Sequence, residues 1–157
     1  MKQSPSEKEL IRNLSPSKFS AQGFLGSDSR PVDEIVNEDM AALERHHVSK
    51  ETLAQALTAA YDMAQKAFGA DILIRTGVTA VFYESMGRVP SPFKGDGVFE
   101  KGEVVVKDLK TGQGMTITRL GIHLIGKHGF FQGKGTPYRV EPLVAMKLLR
   151  LDSDVLE

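Results

Sequence analysis

Residues 49–84 read SKETLAQALTAAYDMAQKAFGADILIRTGVTAVFYE, and the apolar period changes partway through. In the first part Leu53, Ala56, Leu57, Ala60, Tyr61, Ala64, Ala67 and Phe68 fall on one stripe at helical spacing. Ser49 is a good N-cap, and Gly69 stands where a left-handed C-terminal cap belongs. The many alanines in the stripe permit close packing against a second element. After Gly69 the spacing shortens: residues 71–75 and 78–84 read as strands, with Thr76-Gly77 between them.

Outward from this stretch the same logic gives the remaining elements. Upstream, Pro31 opens an earlier helix, with Asp33 and Glu34 at the positive end of its dipole and Val32, Ile35, Val36, Met40 and Leu43 on one face. Downstream, 103–107 and 115–119 form a hairpin turning at Lys110-Thr111-Gly112. A short helix over 120–128 is stopped by Gly129, and a last helix runs from Pro142 to about 151. Residues 87–97, GRVPSPFKGDG, carry two prolines and three glycines and are expected as loop. Helices, then hairpins, then short helices, with no strand–helix–strand alternation, define an α+β class. The expected architecture is an N-terminal helical pair packed on a small, mainly antiparallel sheet, with short C-terminal helices.

Residues 1–30 are serine-rich and read as an N-terminal arm, with a short helix after Ser4 that has Pro5 at its first position and Glu7 completing a capping box with Ser4. Residues 31–157 read as a single α+β domain, a size that suits one core. An ordered arm needs a surface to lie on, and a homodimer is one way to supply it. No stretch approaches the roughly 20 apolar residues of a membrane span, and the polar start carries no signal-peptide core, so a cytoplasmic, soluble protein is expected. Cysteine is absent, which removes disulfides, thiolate nucleophiles and cysteine-rich zinc sites; any metal must be held by His, Asp and Glu.

Twenty acidic and twenty basic side chains cancel, so no global field draws in nucleic acid. Locally the balance differs. Residues 31–70 hold seven acidic and three basic side chains, whereas 101–150 hold nine basic and three acidic. The later half is therefore the one to meet an anion. Within it, residues 126–139 read GKHGFFQGKGTPYR. Four glycines allow close backbone approach and exposed amides, and Lys127, His128, Lys134 and Arg139 add positive charge. Tyr138 and the two phenylalanines could stack on a ring. The leading expectation is a binding module for an anionic small molecule or acidic surface, through Lys127, His128, Lys134, Arg139 and Tyr138. The spacing matches neither a P-loop nor a dinucleotide fingerprint, so the motif is of weak specificity and any cofactor is unknown. The bland alternative is a hydrated connector whose phenylalanines plug the core.

A second expectation is an enzyme using His123 or His128 as an acid–base group or metal ligand, with Glu84 or Asp96 assisting. The two histidines are five apart, and at about 100° per residue their rings start well over a right angle apart on a helix. A chelate made by the helix alone is therefore disfavoured. Convergence would need the helix to end before His128 and a carboxylate to arrive from elsewhere. His128 near a helix C-terminus also has a plainer role, as a cation favoured by the dipole.

Two Ser-x-x-Lys strings, Ser15 to Lys18 and Ser91 to Lys94, read as coincidence, because Pro92 and Gly95 break any helix at the second. A third expectation is a helix-turn-helix around His47-Val48-Ser49. Its second helix offers only Lys50, Gln55, Gln65 and Lys66 toward phosphates or bases, so an ordinary αα-hairpin is favoured.

Overall fold

The computed structural model describes residues 5–14 and 23–151. Ser4, the serine-rich positions 15–22 and the first Ser-x-x-Lys string lie outside the described residues. The elements run α1 (Pro5–Leu14), α2 (Val32–Arg45), α3 (Lys50–Lys66), β1 (Ile72–Arg75), β2 (Val78–Tyr83), β3 (Arg88–Pro90), β4 (Val98–Glu100), β5 (Glu103–Asp108), β6 (Gly114–Thr118), α4 (Arg119–His128) and α5 (Pro142–Leu148).

Four strands form an antiparallel sheet in the order β1-β2-β5-β6. Its register pairs Ala80 with Val106 and Val104 with Ile117, so alternate residues of each strand line one face. Val78, Ala80, Val104, Val106, Met115 and Ile117 are buried there against Leu53, Leu57, Tyr61 and Ala64 of α3. Each fully buried leucine of that stripe contributes roughly 1.5–3 kcal/mol. Ser49 caps α3 as expected, accepting from the Thr52 amide at 3.0 Å. No helix among the described residues is long and apolar enough to cross a membrane.

Residues 87–97 are not wholly loop. Arg88–Pro90 pairs with Val98–Glu100 in a separate two-stranded ribbon, in the register Arg88 to Glu100, Val89 to Phe99 and Pro90 to Val98. A ribbon has only one neighbour per strand, so Pro90 can sit where its missing amide is not needed. The intervening turn carries Gly95 and Gly97 with φ of 90° and 91°.

Helix α4 lies between two cores. Ile122 and Ile125 face the sheet core, whereas Leu120 and Leu124 face a second cluster with Leu14, Phe24, Ile35 and Phe130. Leu14 and Phe24 come from the first thirty residues, so the described part of that segment is packed against the rest of the chain. Phe93 and Phe99, from the ribbon and its turn, also pack on this second cluster. The ribbon is thereby laid across α4.

The turn at 24–28 clasps the glycine-rich loop. The Gly133 amide donates to the Phe24 carbonyl at 2.8 Å, and the Ser27 amide donates to the Lys134 carbonyl at 3.2 Å. Asp28 accepts from the Lys134 amide at 3.1 Å and holds the Arg30 guanidinium at 2.6 Å. A Cβ at Gly133 would stand 2.2 Å from the Leu25 carbonyl oxygen, so only glycine fits this approach.

The clasp gives the fold an acid-sensitive joint. The Arg30 guanidinium beside Asp28, opposed by burial and aided by the Lys134 and Arg30 amides, holds the Asp28 carboxyl well below the usual carboxylate range. A depressed folded-state pKa contributes stability that is present above the unfolded value near 4 and disappears as pH falls through the folded value. Asp28→Asn is expected to flatten the acid limb of a plot of Tm against pH. An unchanged limb would show that the joint contributes nothing there.

Candidate metal centre

Helix α4 begins at the N-cap Thr118, whose hydroxyl accepts from the Gly121 amide at 2.9 Å. It ends at Gly129, left-handed at φ 64°, with the Gly129 amide on the Ile125 carbonyl and the Phe130 amide on the Leu124 carbonyl. The helix therefore runs through His128, contrary to the condition set for convergence. The two imidazoles nevertheless approach one another, with ring centroids 6.0 Å apart and planes at 77°. The reason is that their meeting point lies off the helix, on a carboxylate brought by the ribbon turn.

That carboxylate is Asp96, its side chain only 2% exposed. Its Oδ2 lies 2.8 Å from His128 Nε2 and 3.0 Å from His123 Nε2. Ser91 Oγ donates to the same oxygen at 2.9 Å, and Lys127 Nζ donates to Oδ1 at 2.9 Å. Ser91 is itself fixed, accepting from the Phe93 amide at 3.1 Å. Burial pushes the Asp96 carboxyl up, but Lys127, His128, Ser91 and His123 together outweigh it and hold the group well below the usual range. Asp96 is thus an anion at neutral pH.

The two histidines differ in one respect. His128 Nε2 makes a hydrogen bond with Asp96, whereas His123 Nε2 is close to the same oxygen without meeting it along a hydrogen-bond direction. His123 Nε2 is buried and has no hydrogen-bond partner. Phenylalanines hold both rings: His128 lies flat on Phe93 at 3.7 Å and 10°, and His123 tilts on Phe99 at 4.8 Å. One oxygen and two nitrogens, all within 4.8 Å of one another, form a donor set suited to a metal ion. Two ligands of a tetrahedral zinc stand about 3.3 Å apart when bonds are ~2.0–2.1 Å. The two nitrogen–oxygen separations, 2.8 and 3.0 Å, fall slightly inside that value.

The residues expected to bind an anion separate into two groups. Lys127 and His128 converge on Asp96. Arg139 is 6% exposed and forms a two-pronged pair with Asp39, at 2.9 Å to each oxygen. It also donates to the Gln132 carbonyl at 2.7 Å and to Glu141 at 2.7 Å. A shallow groove of about 340 Å³ beside β5 and β6 includes Arg139, Lys107 and Pro137, but the guanidinium there already faces these two carboxylates. Lys134 has an exposed side chain, and Tyr138 is engaged with Glu103. The amides of Gly129, Phe130, Gly133, Lys134, Thr136 and Arg139 all donate to protein acceptors. The expectation of unpaired amides in this loop is not met at those positions, because the 24–28 turn, the cap of α4 and the loop's own carbonyls use them.

Of the carboxylates considered with the histidines, Asp96 joins them, whereas Glu84 follows β2, is exposed and is outside the group. Ser91, Phe93 and Phe99 were not recognised as site residues. The signal available was the Gly-Asp-Gly turn at 95–97, which presents an acid at the tip of a tight connection. The αα-pair places α3 against both the sheet and α4, leaving Glu51, Gln55, Ala59, Met63 and Lys66 as its exposed strip. No protein family, curated protein or solved structure matches this chain in comparison.

Proposed function

We propose that this protein binds a divalent transition-metal ion through Asp96, His123 and His128. The observation that carries the reading is the buried Nε2 of His123, which makes no hydrogen bond although it lies 3.0 Å from Asp96 Oδ2 and beside His128. Leaving a buried polar atom unpaired costs about 1–3 kcal/mol. A metal ion removes that cost by accepting the lone pair of each neutral imidazole and the charge of the carboxylate. Nitrogen and oxygen donors without sulfur suit zinc, nickel, iron or copper rather than a soft thiolate metal. Ser91 and Lys127 supply the outer hydrogen bonds that orient a ligating carboxylate, and Phe93 and Phe99 supply an apolar wall. The C-terminal turn of α4, where His128 lies, presents the negative end of its dipole to the cation.

A His–Asp acid–base pair would use the His128 contact alone and leave His123 unexplained. The metal reading accounts for both rings. Three protein ligands leave at least one coordination position open, the arrangement of a reactive rather than a closed structural centre.

Zinc present at about 100 times its Kd stabilises a protein by about 2.7 kcal/mol. For a chain of this size that corresponds to a rise in Tm of roughly 5–10 °C. Protein stripped by chelator and then supplied with zinc is expected to show this rise, and calcium is expected to give none. Equal melting points with and without zinc, nickel or cobalt would remove the proposal.

A further inference from the structure

The charge balance of the centre points to a second ligand. Without a metal, the Asp96 carboxylate and the Lys127 ammonium neutralise each other at 2.9 Å. A divalent ion on two neutral imidazoles and this carboxylate, with Lys127 retained, leaves two uncompensated positive charges. The close contacts of Lys127, His123 and His128 all end on Asp96, which supplies the one negative charge among them. The part of that charge on the metal lies against phenylalanine walls, with Asp96 2% exposed, and is poorly solvated, whereas the Lys127 ammonium reaches water. Two further cations stand nearby. Lys50 Nζ donates to the Lys127 carbonyl at 2.8 Å, which offsets the negative end of α4, and Lys94 is exposed in the same turn as Asp96.

We propose that the open position of the centre takes a phosphate-type dianion, bridged between the metal and the Lys127 ammonium. The inference rests on the reading of Asp96, His123 and His128 as metal ligands and names the class of molecule that completes them. A dianion balances the site where a monoanion leaves half the charge. Lys127 suits the second attachment because its side chain is 56% exposed while its amine already sits on the ligating carboxylate. An ammonium is a point charge with three donors, so it can hold Asp96 Oδ1 and an oxyanion together. Metal and dianion should also tighten each other, because a coupling free energy acts equally in both directions.

The test uses the full chain loaded with cobalt(II), whose visible spectrum reports its ligands, titrated with inorganic phosphate and separately with acetate. Phosphate is expected to change the spectrum saturably and to raise cobalt affinity, with acetate binding more weakly. Lys127→Ala removes both a positive charge and an outer hydrogen bond to the ligating carboxylate, effects that oppose each other. Cobalt affinity should therefore change little while phosphate binds about tenfold or more weakly. A merely structural lysine would weaken both. An unchanged spectrum, cobalt lost to the phosphate solution, acetate binding as tight as phosphate, or unchanged phosphate affinity in Lys127→Ala would overturn the dianion while leaving the metal centre standing. Failure of cobalt to bind at all would remove the metal reading and this inference together.

Discussion

Arg139→Ala is expected to destabilise the fold by about 3–5 kcal/mol, as loss of one partner does for a buried ion pair. Asp39 and Arg139 are 7% and 6% exposed, and the guanidinium meets both oxygens of the carboxylate at 2.9 Å. Truncating the arginine strands the Asp39 charge in a place water barely reaches. It also frees the Gln132 carbonyl, at a residue whose backbone is already left-handed with φ of 74°. Glu141, 54% exposed on the outer side of the same guanidinium, serves as the comparison. Glu141→Ala should cost no more than about 1 kcal/mol, because an exposed pair is screened by solvent. Urea unfolding of both variants measures the difference. Near-wild-type stability of Arg139→Ala would instead mark Arg139 as a residue held in readiness for a ligand.

Asp96→Asn carries the second large effect. Replacing the only carboxylate of the donor set is expected to weaken zinc binding at least about 100-fold, since even outer-sphere changes cost 10–100-fold. It also loosens the metal-free protein by about 1–3 kcal/mol, because Lys127, Ser91 and His128 share that anion. His123→Ala should behave differently. Its Nε2 makes no hydrogen bond, so relief of a buried atom without one partly offsets the lost contacts with Asp96 and Phe99, and the metal-free cost stays below that of Asp96→Asn. Its zinc-induced rise in Tm should nevertheless be much smaller than that of the wild type. A purely structural ion-pair hub would show the first cost in Asp96→Asn and no zinc response in any variant. Calorimetry with and without zinc separates the two accounts.

The fold was largely legible because its elements announce themselves by period. The stripe read from Leu53 to Phe68 reappears as α3 as far as Ala64, but Ala67 rather than Gly69 caps the helix and Phe68 is 91% exposed. The alternation along 78–84 reappears as β2, and Gly129 ends α4 as expected. What escaped was the ribbon, because Pro90 and the glycines read as loop when strand pairing to 98–100 is out of view. The site was legible only in its parts. Helical geometry argued His123 and His128 apart, yet their ring centroids lie 6.0 Å from one another, because that argument considers only the face of one helix. Two rings can meet on a third group held beyond the helix surface, and nothing local to α4 reveals that Asp96 rather than Glu84 is that group. The glycine-rich loop misled for a related reason. Glycine marks close backbone approach without saying what approaches, and at Gly133 the neighbour is the Leu25 carbonyl.

X-ray absorption at the metal edge of the zinc-loaded protein, measured on wild type and on His123→Ala, examines the centre itself. The expected spectrum shows one ion per chain with two imidazole nitrogens and carboxylate oxygen at about 2.0–2.2 Å, falling to one imidazole in the variant. No stoichiometric zinc, or a spectrum without imidazole scattering, would contradict the assignment of Asp96, His123 and His128 as a metal centre.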